Sequence, residues 1–183
     1  MTEPLSSGVS RPVDHHGLFG RMLLLSCKTL AVAGGLLFVA LVAMSIVSIV
    51  GRKLASAPVP GDVEVLQMVA AAASASFFAY CHMNEGDVKV DFFTATASSR
   101  TVHLLDALGS FLVGCFGLLL SWRAGVGAAA TLSSGETSAI LGWPVGLAQM
   151  AMLPGFVLLT LAGWYMSARH VGQALADAEG AAS

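Results

Sequence analysis

Two carboxylates, Asp62 and Glu64, sit in the stretch PVPGDVEVLQM (residues 58–68), at the mouth of a long run with no charge in it. Such a pair could carry acid–base chemistry, or could only start a helix. Pro58 and Pro60 disfavour helix before them, because each lacks an N–H and restricts its predecessor. Gly61 then supplies a turn, which places Asp62 to N-cap a helix from Val63, with Glu64 beside the positive end of the helix dipole. The other residues able to do chemistry are scattered. His15 and His16 stand in a polar tail, and His82, His103 and His170 stand at the ends of apolar runs. Cys27, Cys81 and Cys115 match neither a disulfide framework nor a metal spacing and read as small apolar residues. No Gly-rich phosphate loop appears, and no Ser-His-Asp or Cys-His set can be assembled. The chain reads as not an enzyme, with no catalytic residue, metal ligand, cofactor or substrate-binding residue of its own.

The elements that must position these residues follow from composition. Of 183 residues, 56% are hydrophobic and only 11% charged, and the mean hydropathy is +0.78. A soluble domain carries about a quarter charged residues, so the solvent here is a lipid bilayer. The formal net charge of −2 and the lack of a basic block exclude nucleic acid as a partner. Four apolar runs, at 29–50, 63–82, 104–122 and 145–168, approach or exceed the roughly 20 residues that cross a core of about 30 Å. None alternates with period two, so the fold class is all-α: an integral membrane protein of four transmembrane helices. The organisation is a cytoplasmic N-terminal tail (1–28), a membrane domain (29–168) and a C-terminal tail (169–183). The first run is longer than the h-region of a signal peptide and is read as a retained helix.

Positive charge orients the bundle. Arg11, Arg21, Lys28, Lys89, Arg100 and Arg169 share one side, against Arg52, Lys53 and Arg123 on the other, which places both termini in the cytoplasm. Trp143 and Trp164, roughly 31 Å apart along a helix, suit the two interfacial belts. The centres of the four runs hold no charged side chain, although ion pathways and substrate sites in membranes need them. What the runs do hold is small residues. Ser110, Gly114, Gly117 and Ser121 recur on one face of the third helix, where close backbone approach is possible. The pattern leaves open whether that face meets a neighbouring helix or another chain. Between the second and third helices, residues 88–99 fit either an interfacial amphipathic segment, with Val88, Phe92 and Thr96 on one face, or a polar loop.

Three stretches, GRKLASAPVPGDVEVLQ, MNEGDVKVDFF and ETSAILGWPVGLAQMAMLPGFVLL, resemble the small (Q-type) membrane subunit of tripartite ATP-independent periplasmic (TRAP) transporters. The family pattern falls on Arg52 after helix one, Pro60 and Glu64 opening helix two, Gly86, Val88 and Asp91 after it, and a Pro-Gly-Phe break in helix four at Pro154. Asp87 stands where the family usually has a histidine. The resemblance implies a scaffold subunit in the bacterial inner membrane. It implies as partners a large permease subunit that carries the substrate and sodium sites, and a periplasmic binding protein that delivers a solute, often a carboxylate. Two other readings remain: the small subunit of another binding-protein-dependent carboxylate transporter, and a haem b membrane anchor using His82, His103 and His170. Haem needs axial imidazoles held dry within the bundle, and these three stand at helix ends.

Overall fold

The structure, a computed structural model, describes residues 17–55, 59–87 and 99–180. Among them are four helices: α1 (Leu18–Ala55), α2 (Asp62–Met83), α3 (Ser99–Ser134) and α4 (Val145–Gly180). All four are long and apolar enough to cross a membrane. Helix is the outcome because each backbone N–H and C=O in hydrocarbon must find its partner within the same segment.

Three helices overrun the apolar runs that announce them. At about 1.5 Å per residue, the 38 residues of α1 and the 36 of α3 and of α4 extend roughly 55 Å. The extension of α1 back to Leu18 follows its sequence, since LFGRMLLLSC stays largely apolar before Thr29. Arg52 and Lys53 lie in its last turn, where they suit the negative end of the dipole. α4 continues through Pro154, so the expected break at that position is not a break in the helix. Proline removes one i to i−4 hydrogen bond, that to the Met150 carbonyl, and the helix resumes.

The start of α2 differs in detail from the sequence expectation. Gly61 takes the N-cap position with φ of +73°, and Asp62 is the first helical residue rather than the cap. A positive φ is what lets the chain reverse there, and only glycine adopts it without cost.

The helices lie side by side in the order α1, α2, α4, α3. α3 and α4 form the most extensive interface, α2 packs on both α1 and α4, and α1 barely meets α4. No Cα of α3 comes within 8 Å of one in α1 or α2. α3 therefore meets the rest of the described helices through α4 alone, and the bundle is open on that side. Its apolar core, with Leu23, Cys27, Ala79, Met83, Leu159 and Met166 among its members, joins α1, α2 and α4 near the end where α2 terminates.

Candidate functional site

At the end of the molecule where α2 begins, the two carboxylates act as ties. Asp62 accepts hydrogen bonds from the hydroxyl of Ser48, a fully buried residue on α1, and from the Val63 amide at 2.8 Å. Arg52 Nη2 lies 3.4 Å from the same carboxylate, from a largely exposed side chain. Asp62 thus joins α2 to α1. Glu64 reaches the other way: its two oxygens accept the backbone N–H groups of Ile140 at 2.9 Å and Leu141 at 3.1 Å. These amides belong to the α3–α4 connection, a short hairpin in which Ser138 N–H donates to Trp143 O at 2.8 Å and Val145 N–H to Glu136 O at 3.2 Å. An ionised carboxylate that takes two amides is among the stronger hydrogen-bonded arrangements available to a loop. Gly61 completes the junction, since a Cβ there would come within 2.5 Å of Leu141 Cγ. Pro60 lies exposed in the turn before α2.

The small-residue face of α3 is spent inside the chain. A Cβ on Gly163 of α4 would lie 2.5 Å from Gly114 N and 2.8 Å from Ser110 O. One on Gly117 would lie 2.9 Å from Thr160 N, and one on Gly114 would meet the Trp164 ring at 2.4 Å. The question left open by the stripe is therefore answered for three of its members: Ser110, Gly114 and Gly117 meet α4. Trp164 accordingly packs near the middle of α3, and α4 runs four turns beyond it. The Ser121 hydroxyl is buried without a hydrogen-bond partner. Gly163 went unnoticed in the sequence, and Gly155 was noted only within the Pro-Gly-Phe motif; Gly155 backs onto the Ala75 carbonyl of α2, where a Cβ would be 2.4 Å away.

At the opposite end, where α2 stops, the ionisable residues gather differently. Gly86 N–H returns to Cys81 O at 3.0 Å and Glu85 N–H to His82 O at 3.1 Å, the two bonds of a Schellman cap. Glu85 occupies the left-handed position with φ of +53°, and its carboxylate lies 3.8 Å from Arg169 Nη1. Gly86 packs closely on the helix end, since a Cβ there would lie 3.0 Å from Cys81 Sγ. This turn returns Asp87 to His82, whose Nδ1 bonds to the Asp87 carboxylate. His82 is buried, and its Nε2 has no hydrogen-bond partner. His103 and His170 stack with ring centroids 6.3 Å apart, and Asp177 lies 3.8 Å from His103 Nε2. A cavity of about 210 Å³ opens among His82, Glu85, Asp87, Asp106, Ser110 and His170. Among the described residues, no group of three or more His, Cys, Asp or Glu is arranged to hold a metal ion.

Of the residues singled out in the sequence, Arg52, Pro60 and Glu64 converge at one end, while Gly86 stands at the other. Ser110, Gly114, Gly117, Ser121 and Pro154 lie along α3 and α4 between them. Val88 and Asp91, and with them most of the 88–99 stretch, lie outside the described residues. A family model described as tripartite ATP-independent periplasmic transporters, DctQ component, matches residues 41–172, from inside α1 to the last third of α4. The chain belongs to that family. It is therefore the small component of a TRAP transporter, a multi-pass membrane protein and a transport component rather than an enzyme. No curated protein and no solved structure matches the chain. Within the TRAP small component, Ser48 and Asp87 are the polar residues that sequence reasoning passed over as partners. Ser48 carried no signal, being one serine in an apolar run, and Asp87 registered only as a departure from the usual histidine.

Proposed function

We propose that this chain is the scaffold on which a large permease subunit of the TRAP transporter moves. That subunit would carry the substrate and use a sodium gradient, and a periplasmic binding protein would deliver the solute, a carboxylate. The observation that carries the reading is where the ionisable side chains lie. Between Lys28 and Arg52, Glu64 and His82, Asp106 and Arg123, and Val145 and Arg169, no Asp, Glu, Lys, Arg or His occurs. A polar solute or ion crossing hydrocarbon needs such groups, so the conduit belongs to the partner. The exposed apolar side chains of α1 and α3, Leu36, Val39, Leu112 and Leu119 among them, support the same division, because they leave apolar faces for lipid and for another membrane subunit.

The experiment is reconstitution. Vesicles holding this chain alone should show no sodium-driven uptake, and vesicles holding it with the large subunit and binding protein should show it. Uptake by this chain alone would overturn the reading. The charge asymmetry of the sequence further puts both termini in the cytoplasm, so that the Glu64-tied hairpin faces the periplasm. A reporter active only in the periplasm should be silent after Ser183 and active when inserted near Ser134; the reverse pattern would invert the topology. An absorption spectrum of the purified protein tests the haem-anchor reading through a Soret band. The genes beside this one test the reading as a subunit of another binding-protein-dependent carboxylate transporter.

A further inference from the structure

One charged residue does not stand where the sequence puts it. Arg123 closes the apolar run 104–122, which would set it at a membrane face. In the structure α3 carries on through AGVGAAATLSS to Ser134. Contacts across α3 and α4 fix its height. A Cβ on Gly117 would lie 2.9 Å from Thr160 N, and one on Gly125 would lie 3.6 Å from Leu153 Cδ2. Arg123, two residues before Gly125, is therefore level with Pro154 and Gly155 of α4. Gly155 backs in turn onto the Ala75 carbonyl, and Ala75 is the fourteenth of the 22 residues of α2. At about 1.5 Å per residue that height is roughly 20 Å from the start of α2 and roughly 12 Å from its end. α2 is the shortest of the four helices and about as long as hydrocarbon is thick, so Arg123 stands inside the apolar slab.

The residue also faces away from the protein. Gly114 and Gly117 turn toward α4, whereas Arg123 shares the other side of α3 with Leu112, Phe116, Leu119 and Val126, each about half exposed. Arg123 is exposed, and Trp122 beside it is 70% exposed. Among the described residues no hydrogen bond or ion pair reaches the Arg123 guanidinium or the Trp122 indole. A guanidinium keeps its charge in proteins, and an indole N–H away from water looks for an acceptor. Reaching lipid phosphate does not resolve the arginine: its six bonds of about 1.5 Å span roughly 7 Å at most, short of the nearer end of α2. Charges held in hydrocarbon are paired. A second copy of this chain laid on the same face would bring another Arg123 and no carboxylate, since none occurs from 107 to 135.

We propose that the outward face of α3 docks the large permease subunit, through an Asp or Glu on one of that subunit's membrane helices that pairs with Arg123. Leu112, Phe116, Leu119 and Val126 pack around the pair and keep water from it, and the Trp122 indole donates to the same partner. The inference rests on the scaffold reading and names the surface it uses. One cation facing outward opens no path through this chain, so the conduit still belongs to the large subunit.

The test compares the chain alone with the chain bound to its large subunit, both in detergent. Arg123→Leu should weaken the complex by about thirtyfold or more, the lower end of what removing one partner of a buried charge pair costs. The same variant on its own should be no less stable than the parent in its thermal midpoint, because it loses an unpaired charge. A fall in that midpoint would show that Arg123 is paired within the chain, and would overturn the proposal. Unchanged affinity would overturn it too, since an arginine that reaches lipid or water is indifferent to the partner. Arg123→Lys should keep the greater part of the binding; a lysine as weak as leucine would rule out charge pairing. A photoreactive amino acid in place of Leu119, one turn away on the same face, should crosslink to the large subunit, and its failure to do so would place the docking face elsewhere. Should the unaltered chain fail to hold the large subunit, the scaffold reading itself falls; if it holds and Arg123→Leu holds equally, only the present inference does.

Discussion

The C-terminal ends of α2 and α3 close with the same pair of backbone hydrogen bonds. Glu85 N–H to His82 O and Gly86 N–H to Cys81 O finish α2; Gly135 N–H to Leu132 O and Glu136 N–H to Thr131 O finish α3. Both turns need a residue at positive φ, Glu85 at +53° and Gly135 at +69°. At α3 glycine meets the need at no steric cost, and no atom beyond its neighbours lies within 4 Å of where a Cβ would be. At α2 a glutamate is forced into the left-handed region, which costs an L-residue about 1–2 kcal/mol. The plain turn lies beside the hairpin whose Ile140 and Leu141 amides are satisfied by Glu64. The strained turn lies where Glu85 meets Arg169, Asp87 meets His82, and one histidine nitrogen is left over. The lesson is that the same cap can serve as a stop or as a device for placing side chains. Strain and an unspent polar atom mark the second use.

The contrast between the ends presupposes that α3 and α4 stay together, and the most damaging test removes that. Gly163→Val would drive methyl groups into the Gly114 backbone, which cannot swing aside as a side chain can. Its cost should lie at or above the upper end of the ~1–3 kcal/mol typical of overpacking, read as a fall in thermal midpoint in detergent. Gly172→Val, on the same helix with nothing within 4 Å, is the control and should change little.

Next comes the hairpin. Glu64→Ala leaves the Ile140 and Leu141 amides without their acceptor. Hydrogen exchange should accelerate across residues 138–142 and stay unchanged around residues 82–87. Glu64→Gln should fall between, because an amide oxygen can still accept while its NH₂ confronts a second donor. Exchange that rises equally at both ends would mean the ends are not independent.

Swapping the cap residues tests the comparison directly. Gly135→Glu should destabilise by about 1–2 kcal/mol, the cost of a side chain in the left-handed region. Glu85→Gly should go the other way and by less, since relief of strain is offset by loss of a partly exposed pairing with Arg169 worth ~0–1 kcal/mol. Denaturation of both variants beside the parent decides the sign; a destabilised Glu85→Gly would show that the glutamate's contacts outweigh its strain. The smallest effect belongs to Arg52→Ala, whose side chain is 60% exposed and 3.4 Å from Asp62. Any loss of stability should vanish as salt is raised, as expected of an exposed ion pair.

Much of this protein was legible along the chain. Four long apolar runs without alternation leave helices as the only backbone that satisfies itself in lipid, and Pro60-Gly61 marks the turn before the second. The order of weak motifs from Arg52 to Pro154 was enough to point to the TRAP small component, which the family match then bore out. Three things the tertiary structure alone decided. One is that Asp62 is tied to Ser48 and Glu64 to amides 76 residues away, where local rules put a cap and a dipole effect. Another is that the Ser110–Gly114–Gly117 face meets Thr160, Gly163 and Trp164 within the same chain. The third is that His82, Asp106 and His170, on three helices, line one cavity. The physical reason is common to all three. Helix formation is settled by each segment's own backbone hydrogen bonds and by lipid, whereas a helix apolar nearly all round carries no stripe that says which neighbour it will meet.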